Sequence, residues 1–131
     1  SQATPFEHRS FGEELALCYR YYEQWDLFSG ENIWVGTAIG GNPSCIMQYL
    51  GKKRTAPTIT IPSTGGSGSG NTFTFLKENG AFPSGIGTIT SSKISDRAFR
   101  LNSSGYSGIS AYYAVLLYSN GTGTMQFDAE L

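Results

Sequence analysis

The chain has few charged residues and no long apolar run, and each shortage excludes a class of protein. Charged side chains make up 15% of the 131 residues and leave a net charge of −1. Nucleic-acid binding needs clustered Lys and Arg to displace phosphate counterions, and the densest basic cluster is the short run 52–54. No apolar run approaches the roughly 20 residues that span a bilayer. We therefore predict neither nucleic-acid binding nor membrane insertion.

Reactive side chains are also scarce. Two cysteines, Cys18 and Cys45, do not make a disulfide framework, and we expect both to be buried thiols. The one histidine, His8, has no nucleophile motif beside it, and it lacks the partners of a zinc site. Asp128 and Glu130 project from the same face of the last predicted strand and could act as a glycosidase pair, but a solvated strand face or a salt bridge to Arg97 or Arg100 explains them more simply. We predict a protein that is not an enzyme and holds no metal and no cofactor.

Residues 10–25, SFGEELALCYRYYEQW, have the one strong helical pattern. Ser10 and Glu13 form a capping box, and apolar side chains then recur with alternating four- and three-residue spacing. A helix this short is marginal alone in water, so we expect it to dock, either wholly within its own domain or partly against a partner subunit. The predicted subunit-interface residues are Leu15, Cys18, Tyr21, Tyr22 and Trp25.

The rest of the chain predicts short strands joined by tight turns, as its 17 glycines indicate. Gly30 is predicted to end the helix, residues 63–71 to form a mobile loop, and 111–118 to be a central strand buried on both faces. The fold class is mainly β: a β-sandwich or jelly roll of about eight short antiparallel strands with one N-terminal α-helix. The predicted strands are residues 32–39, 44–50, 58–61, 72–76, 87–91, 97–101, 111–118 and 124–130.

Aromatic residues are plentiful, with 8 Tyr, 8 Phe and 2 Trp. Tyr and Trp combine a flat apolar face with a polar edge, which suits stacking on sugar rings. The predicted turn 103–108 surrounds Tyr106 with Ser and Gly, a composition typical of paratopes. The predicted ligand-binding residues are Tyr106, Trp34, Tyr49 and Tyr112, with core packing as the alternative role for the last three.

Three segments carry a family resemblance. They are ATPFEHRSFGEELALCYRYYEQW at residues 3–25, KKRTAPTITI at 52–61 and the terminal FDAEL at 127–131. Together they resemble the C-terminal domain of bacteriophage tail fibre and related virion-surface proteins, in which a segment like ATPFEHRS closes an upstream module. Gly51, Lys52 and Lys53 depart from the expected apolar approach to the APT strand, and Tyr19 stands where a polar residue is commoner.

The resemblance implies a virion protein that assembles in the bacterial cytoplasm as a homotrimer. It implies that residues 1–9 connect to an upstream module and that 10–131 form a single domain, so we expect the chain to be part of a longer polypeptide. Two functions follow from different classes. One is a distal receptor-binding tip that recognises a host surface glycan; the other is a structural domain that trimerises or caps the fibre. A capsid decoration protein is a third possibility.

Overall fold

The computed structural model describes residues 10–62 and 73–130, which form one helix and two antiparallel sheets. The predicted fold class, mainly β and sandwich-like with an N-terminal helix, is confirmed. His8, the connecting segment 1–9 and the whole of the predicted loop 63–71 lie outside the described residues. The elements are α1 Phe11–Tyr19, β1 Tyr22–Leu27, β2 Glu31–Ile39, β3 Asn42–Gln48, β4 Thr58–Thr60, β5 Phe73–Leu76, β6 Ser84–Ser92, β7 Ala98–Ser107, β8 Ala114–Ser119 and β9 Gly123–Asp128.

The smaller sheet has the strand order β1-β9-β4, and the larger sheet has the order β5-β8-β2-β3-β7-β6. The eight predicted strands correspond to β2 through β9, with shifted ends. We call the face of the larger sheet that meets the smaller sheet its inner face, and the opposite face its outer face. The end that carries the β2–β3 turn is the hairpin end.

The helix is shorter than predicted, because the last residues of the predicted helical segment 10–25 belong to β1 instead. The capping box of Ser10 and Glu13 is present at its start, but α1 ends at Tyr19. In β1 the buried positions recur every second residue, at Glu23 and Leu27 with the half-buried Trp25 between them. Aromatic residues favour strands, and Trp25 fits both the helical and the strand spacing. Gly30 does have the predicted positive φ, +85°, but in the turn before β2.

An aromatic cluster joins the two sheets. Phe127 of the smaller sheet is fully buried. Its ring centroid lies 4.9 Å from that of Trp25, and 5.2 Å from those of both Tyr49 and Phe99. Tyr49 follows β3 and Phe99 lies on β7, so the cluster links the larger sheet to β1 and β9. Full burial of an aromatic side chain contributes roughly 1.5 to 3 kcal/mol, so this cluster stabilises the contact between the two sheets.

The larger sheet is curled, and Tyr106 joins its two sides. The Tyr106 ring packs over Gly87, where a Cβ would lie 2.0 Å from it, and its hydroxyl lies 3.2 Å from Oγ1 of Thr74 on β5. Three strands separate β5 from β7 in the sheet order, so this contact requires strong curvature. The prediction of a turn at residues 103–108 is therefore wrong. Residues 103–107 form the end of β7, and Tyr106 is only 8% exposed.

Strand β8 is buried on one face rather than on both. Val115 and Leu117 are fully buried on the inner face, whereas Tyr118 on the outer face is half-buried. The Phe82 ring covers part of that outer face, with a centroid distance of 5.9 Å to Tyr118. Residues 111–113 of the predicted strand precede β8. The helix does not cover this strand, because α1 lies beside the smaller sheet.

Candidate functional site: a cleft lined by both tryptophans

The described parts of the three segments that carry the family resemblance, residues 10–25, 52–61 and 127–130, meet around the smaller sheet. Tyr22 of β1 and Thr58 of β4 both lie opposite Asp128 of β9. Just past β9, the Ala129 N–H donates to the Tyr21 carbonyl at 2.7 Å. Segments far apart in the sequence therefore form one structural unit.

A buried ion pair fastens the helix end to this unit. Nζ of Lys53 lies 2.6 Å from Oε1 of Glu23, and both side chains are completely buried. The ammonium also donates to the carbonyls of Tyr19 at 2.6 Å and Gly51 at 3.2 Å. Its three protons thus have three acceptors. Lys53, which departs from the family pattern, is a buried structural residue.

The Glu23 carboxylate connects this ion pair to Trp25. It accepts the backbone N–H of Leu50 at 3.0 Å and of Gly51 at 3.3 Å, and it also accepts the Trp25 indole N–H. A carboxylate with this many donors holds each donor in a fixed direction. The orientation of the Trp25 ring is therefore set by the same charge that anchors Lys53.

A gap opens where β2 and β3 diverge. The two strands pair only near the hairpin end, through residues 37–39 and 42–44. Beyond that point β2 pairs with β8, and β3 pairs with β7. Gly36 lies where they separate, and a Cβ there would be 2.1 Å from the Ser44 carbonyl oxygen. Only glycine permits this close approach, which leaves the start of β2 apart from the end of β3.

A β-bulge aims Trp34 into this gap. Asn32 lies opposite Tyr118, but Trp34 lies opposite Leu117, with Ile33 as the extra residue. Residues two apart on a regular strand share a face, whereas the bulge moves Trp34 to the inner face, on the side of Leu117. The Trp34 side chain remains 44% exposed. A ring turned toward the core side yet open to solvent is available to a ligand.

The resulting cleft has a volume of about 310 Å³ and contains both tryptophans of the chain. Its remaining apolar surface comes from aliphatic side chains, and two carboxylates lie at its border. Leu50, just past β3, is 69% exposed. The lining residues are Trp25, Asp26, Leu27, Glu31, Ile33, Trp34 and Leu50.

Both carboxylates of this tryptophan cleft have acceptor capacity left. Oδ1 of Asp26 accepts from Nε2 of Gln24 at 2.9 Å, and Oε2 of Glu31 accepts from the backbone N–H of Phe28 at 3.1 Å. An ionised carboxylate has about four acceptor sites. The cleft therefore combines an aromatic face with acceptors for hydroxyl donors.

The four predicted ligand-binding residues do not form one site. Tyr106 and Tyr49 are buried, at 8% and 7% exposure, so the prediction that their rings meet a ligand is wrong: Tyr106 closes the curled sheet and Tyr49 stacks in the core. Trp34 lines the tryptophan cleft. Tyr112 is 78% exposed, but its N–H donates to the Ala38 carbonyl at the hairpin end, away from the cleft.

Tyr112 has an unusual backbone. Its φ is +65°, a left-handed conformation that is uncommon for a bulky residue. The neighbouring Tyr113 is 54% exposed. These two rings form a second exposed aromatic surface at the hairpin end.

The predicted interface residues lie on α1, in the turn after it and on β1. Leu15, Cys18, Tyr21 and Tyr22 are exposed, and α1 buries none of its side chains within the chain. Trp25 belongs to β1 and packs against the core of its own chain, so it does not lie on the helix face that was predicted to form the interface.

The expectation of two buried thiols is correct for one cysteine only. Cys18 is exposed on α1, whereas Cys45 is buried on β3. Burial raises the pKa of the Cys45 thiol to about 12, because the charged thiolate loses its hydration. Cys45 is therefore an unreactive core residue.

Sequence reasoning missed Asp26, Glu31 and Leu50 as partners of Trp34. The alternation of β1 could have suggested that Asp26 is exposed beside Trp25. Nothing in the sequence marked the bulge at Ile33 or the divergence at Gly36, on which the cleft depends.

Among residues 10–62 and 73–130, no cluster of His, Cys, Asp or Glu could hold a metal ion. In the same residues, no helix is long and apolar enough to cross a membrane. No family model, curated protein or solved structure matches the chain.

Proposed function

We propose that this domain is the receptor-binding tip of a bacteriophage tail fibre and that it binds a neutral host-surface glycan in the tryptophan cleft. The observation that carries the proposal is the meeting of both tryptophans with two carboxylates in one cleft. An indole ring stacks on the apolar face of a sugar, and carboxylate oxygens accept hydrogen bonds from its hydroxyls. The phage assignment rests on the family resemblance, whose three segments form one structural unit.

The charge of the cleft selects the kind of sugar. Among the described residues that line the cleft, Asp26 and Glu31 are the only charged ones. Like charges brought together in an interface oppose binding, so an acidic sugar would be disfavoured there. Neutral sugars offer many hydroxyl donors without a charge.

Replacing Trp34 by alanine should weaken glycan binding at least tenfold. The substitution removes the stacking surface, and aromatic residues at the centre of a binding site typically contribute more than about 1 kcal/mol and often above 2. The measurement is a screen of the wild-type domain on an array of bacterial surface glycans, followed by calorimetry with the neutral oligosaccharide that binds.

The matched control is Tyr112→Ala, which removes an equally accessible aromatic ring at the hairpin end and should leave the affinity unchanged. Trp34→Phe should keep part of the affinity. Absence of any neutral glycan ligand on the array, or equal binding by wild type and Trp34→Ala, would contradict the proposal. Loss of binding in Tyr112→Ala alone would move the site to the hairpin end.

A structural role in assembly is the second candidate, and the exposed helix favours it. Phe11 is 83% exposed, and Leu15 and Leu17 are 37% and 36% exposed. A nine-residue helix with no buried side chain gains little stability from its own chain, so a second subunit would stabilise it. This supports association of chains through α1, and the family resemblance implies that the assembly is a homotrimer.

Size-exclusion chromatography with light scattering at micromolar concentration should give the mass of a trimer, and Phe11→Ser with Leu15→Ser should reduce it to that of one chain. A stable single-chain mass for the wild type would remove the assembly role.

Deletion of this chain from the full-length protein separates the two functions. A retained trimer with lost host adsorption supports binding, and a lost trimer supports assembly.

A further inference from the structure

Arg100 is the one cation in the six strands of the larger sheet. Those strands contain only two charged side chains, Arg100 and Glu31. Arg100 lies between Ile46 of β3 and Ser92 of β6 on the outer face, and it is half-buried. Across the described parts of the chain, its guanidinium forms no ion pair and no hydrogen bond. An unpaired, partly desolvated cation on an otherwise neutral surface is available to an anion.

Arg100 lies in a groove with aliphatic walls. Two adjoining depressions of about 410 Å³ and 280 Å³ share Ile39, Ser44 and Arg100. Val35 and Ile46 border the groove and are 59% and 61% exposed. None of the described residues that line the groove is acidic, and none of them lines the tryptophan cleft.

The polar groups of the groove are unequally available. Oγ of Ser44 donates to the Leu101 carbonyl at 3.1 Å, and the Asn102 amide donates to Oγ of Ser92. Asn42 is exposed in the smaller depression, and its side chain has no hydrogen bond with another described residue. The groove therefore offers a planar fork of donors from Arg100 and one free amide.

We propose that this Arg100 groove binds the carboxylate of a uronic acid residue in a bacterial surface polysaccharide. A guanidinium matches a carboxylate with two parallel hydrogen bonds. Asn42 would bond a ring hydroxyl, and Val35 with Ile46 would contact the apolar edge of the ring. A single cation suits the single charge of a carboxylate better than a phosphate dianion. This inference rests on the proposed glycan-binding function, but it uses a separate surface.

The test compares two ligands with the same sugar chain, an oligogalacturonate and its fully methyl-esterified form, in which each charged carboxylate is replaced by a neutral ester. Wild-type protein should bind the acid at least tenfold more tightly than the ester, and added salt should weaken binding of the acid. Arg100→Gln should remove this preference. Arg100→Lys, which keeps the charge but loses the fork, should retain part of it, and thermal melts should show both variants folded.

Arg97→Gln is the matched control, since Arg97 is an exposed arginine just before β7. Equal binding of acid and ester, equal effects of Arg97→Gln and Arg100→Gln, or equally strong competition by inorganic phosphate would overturn the inference. If Arg100→Gln does not change binding of the acid while Trp34→Ala still weakens binding of a neutral glycan, only this inference is overturned. If Trp34→Ala does not change binding of the neutral glycan while Arg100→Gln still removes the preference for the acid, only the proposal for the tryptophan cleft is overturned.

Discussion

Replacing Lys53 by methionine should lower the free energy of unfolding by about 3 to 5 kcal/mol. Methionine fills a similar volume, but it leaves the fully buried Glu23 carboxylate without its counter-charge. The carbonyls of Tyr19 and Gly51 also lose their donor. Removing one partner of a buried pair is far more destabilising than replacing both. Urea denaturation followed by circular dichroism measures the change.

Lys52→Met is the control for this prediction. Lys52 pairs with Asp96 at 3.5 Å on the surface, where the two side chains are 61% and 38% exposed, so its loss should change stability by less than about 1 kcal/mol. The double variant Glu23→Leu with Lys53→Met should recover part of the free energy of unfolding that Lys53→Met alone loses. Equal destabilisation by Lys52→Met and Lys53→Met would show that the ion pair does not anchor the helix end.

Replacing Phe127 by alanine should lower the free energy of unfolding by about 3 to 5 kcal/mol as well. The ring is fully buried and contacts Trp25, Tyr49 and Phe99. Its removal leaves a cavity between the two sheets, because the surrounding rings belong to different strands and cannot all close in. Trp25 loses its packing partner, so binding in the tryptophan cleft should weaken too.

Phe28→Ala is the matched control, since Phe28 is 65% exposed in the turn after β1. We expect this variant to stay within about 0.5 kcal/mol of wild type. Chemical denaturation of both variants at the same temperature makes the comparison. If Phe127→Ala lowers the free energy of unfolding as little as Phe28→Ala does, the aromatic cluster is not what joins the sheets.

The strands were predictable because their signals are local. The alternation of threonine and isoleucine over residues 58–61 predicts β4, and Gly40 and Gly41 predict the β2–β3 turn, each to within a few residues. The end of the helix was not predictable in this way. Trp25 satisfies two periodicities at once, and the choice between them is made by the pairing of β1 with β9, a contact between distant parts of the chain.

The candidate site depends on features that the sequence does not mark. Trp34 was identified as an aromatic residue suited to a ligand, but its direction follows from the bulge at Ile33. Tyr106 had the composition of an exposed turn around it, yet the missing side chain of Gly87 lets its ring close the sheet. Lys53 looked like part of a surface cluster, because its buried partner Glu23 lies 30 positions away.

The ion pair, the aromatic cluster and the tryptophan cleft are linked through one residue. Trp25 donates to Glu23, packs on Phe127 and lines the cleft. Stability of the smaller sheet and shape of the cleft should therefore change together in Lys53 and Phe127 variants. Trp34, on β2, should affect ligand binding with little effect on stability.

Tryptophan fluorescence tests the cleft most directly, because both indoles of the chain lie in it. In a Trp25→Phe variant, Trp34 is the sole emitter, and the neutral oligosaccharide found on the array can be titrated against it. We predict that the Trp34 emission shifts to shorter wavelength and saturates with the Kd that calorimetry gives for the same Trp25→Phe variant. Saturable binding in the calorimeter with no change in Trp34 emission would show that the sugar binds elsewhere on the domain.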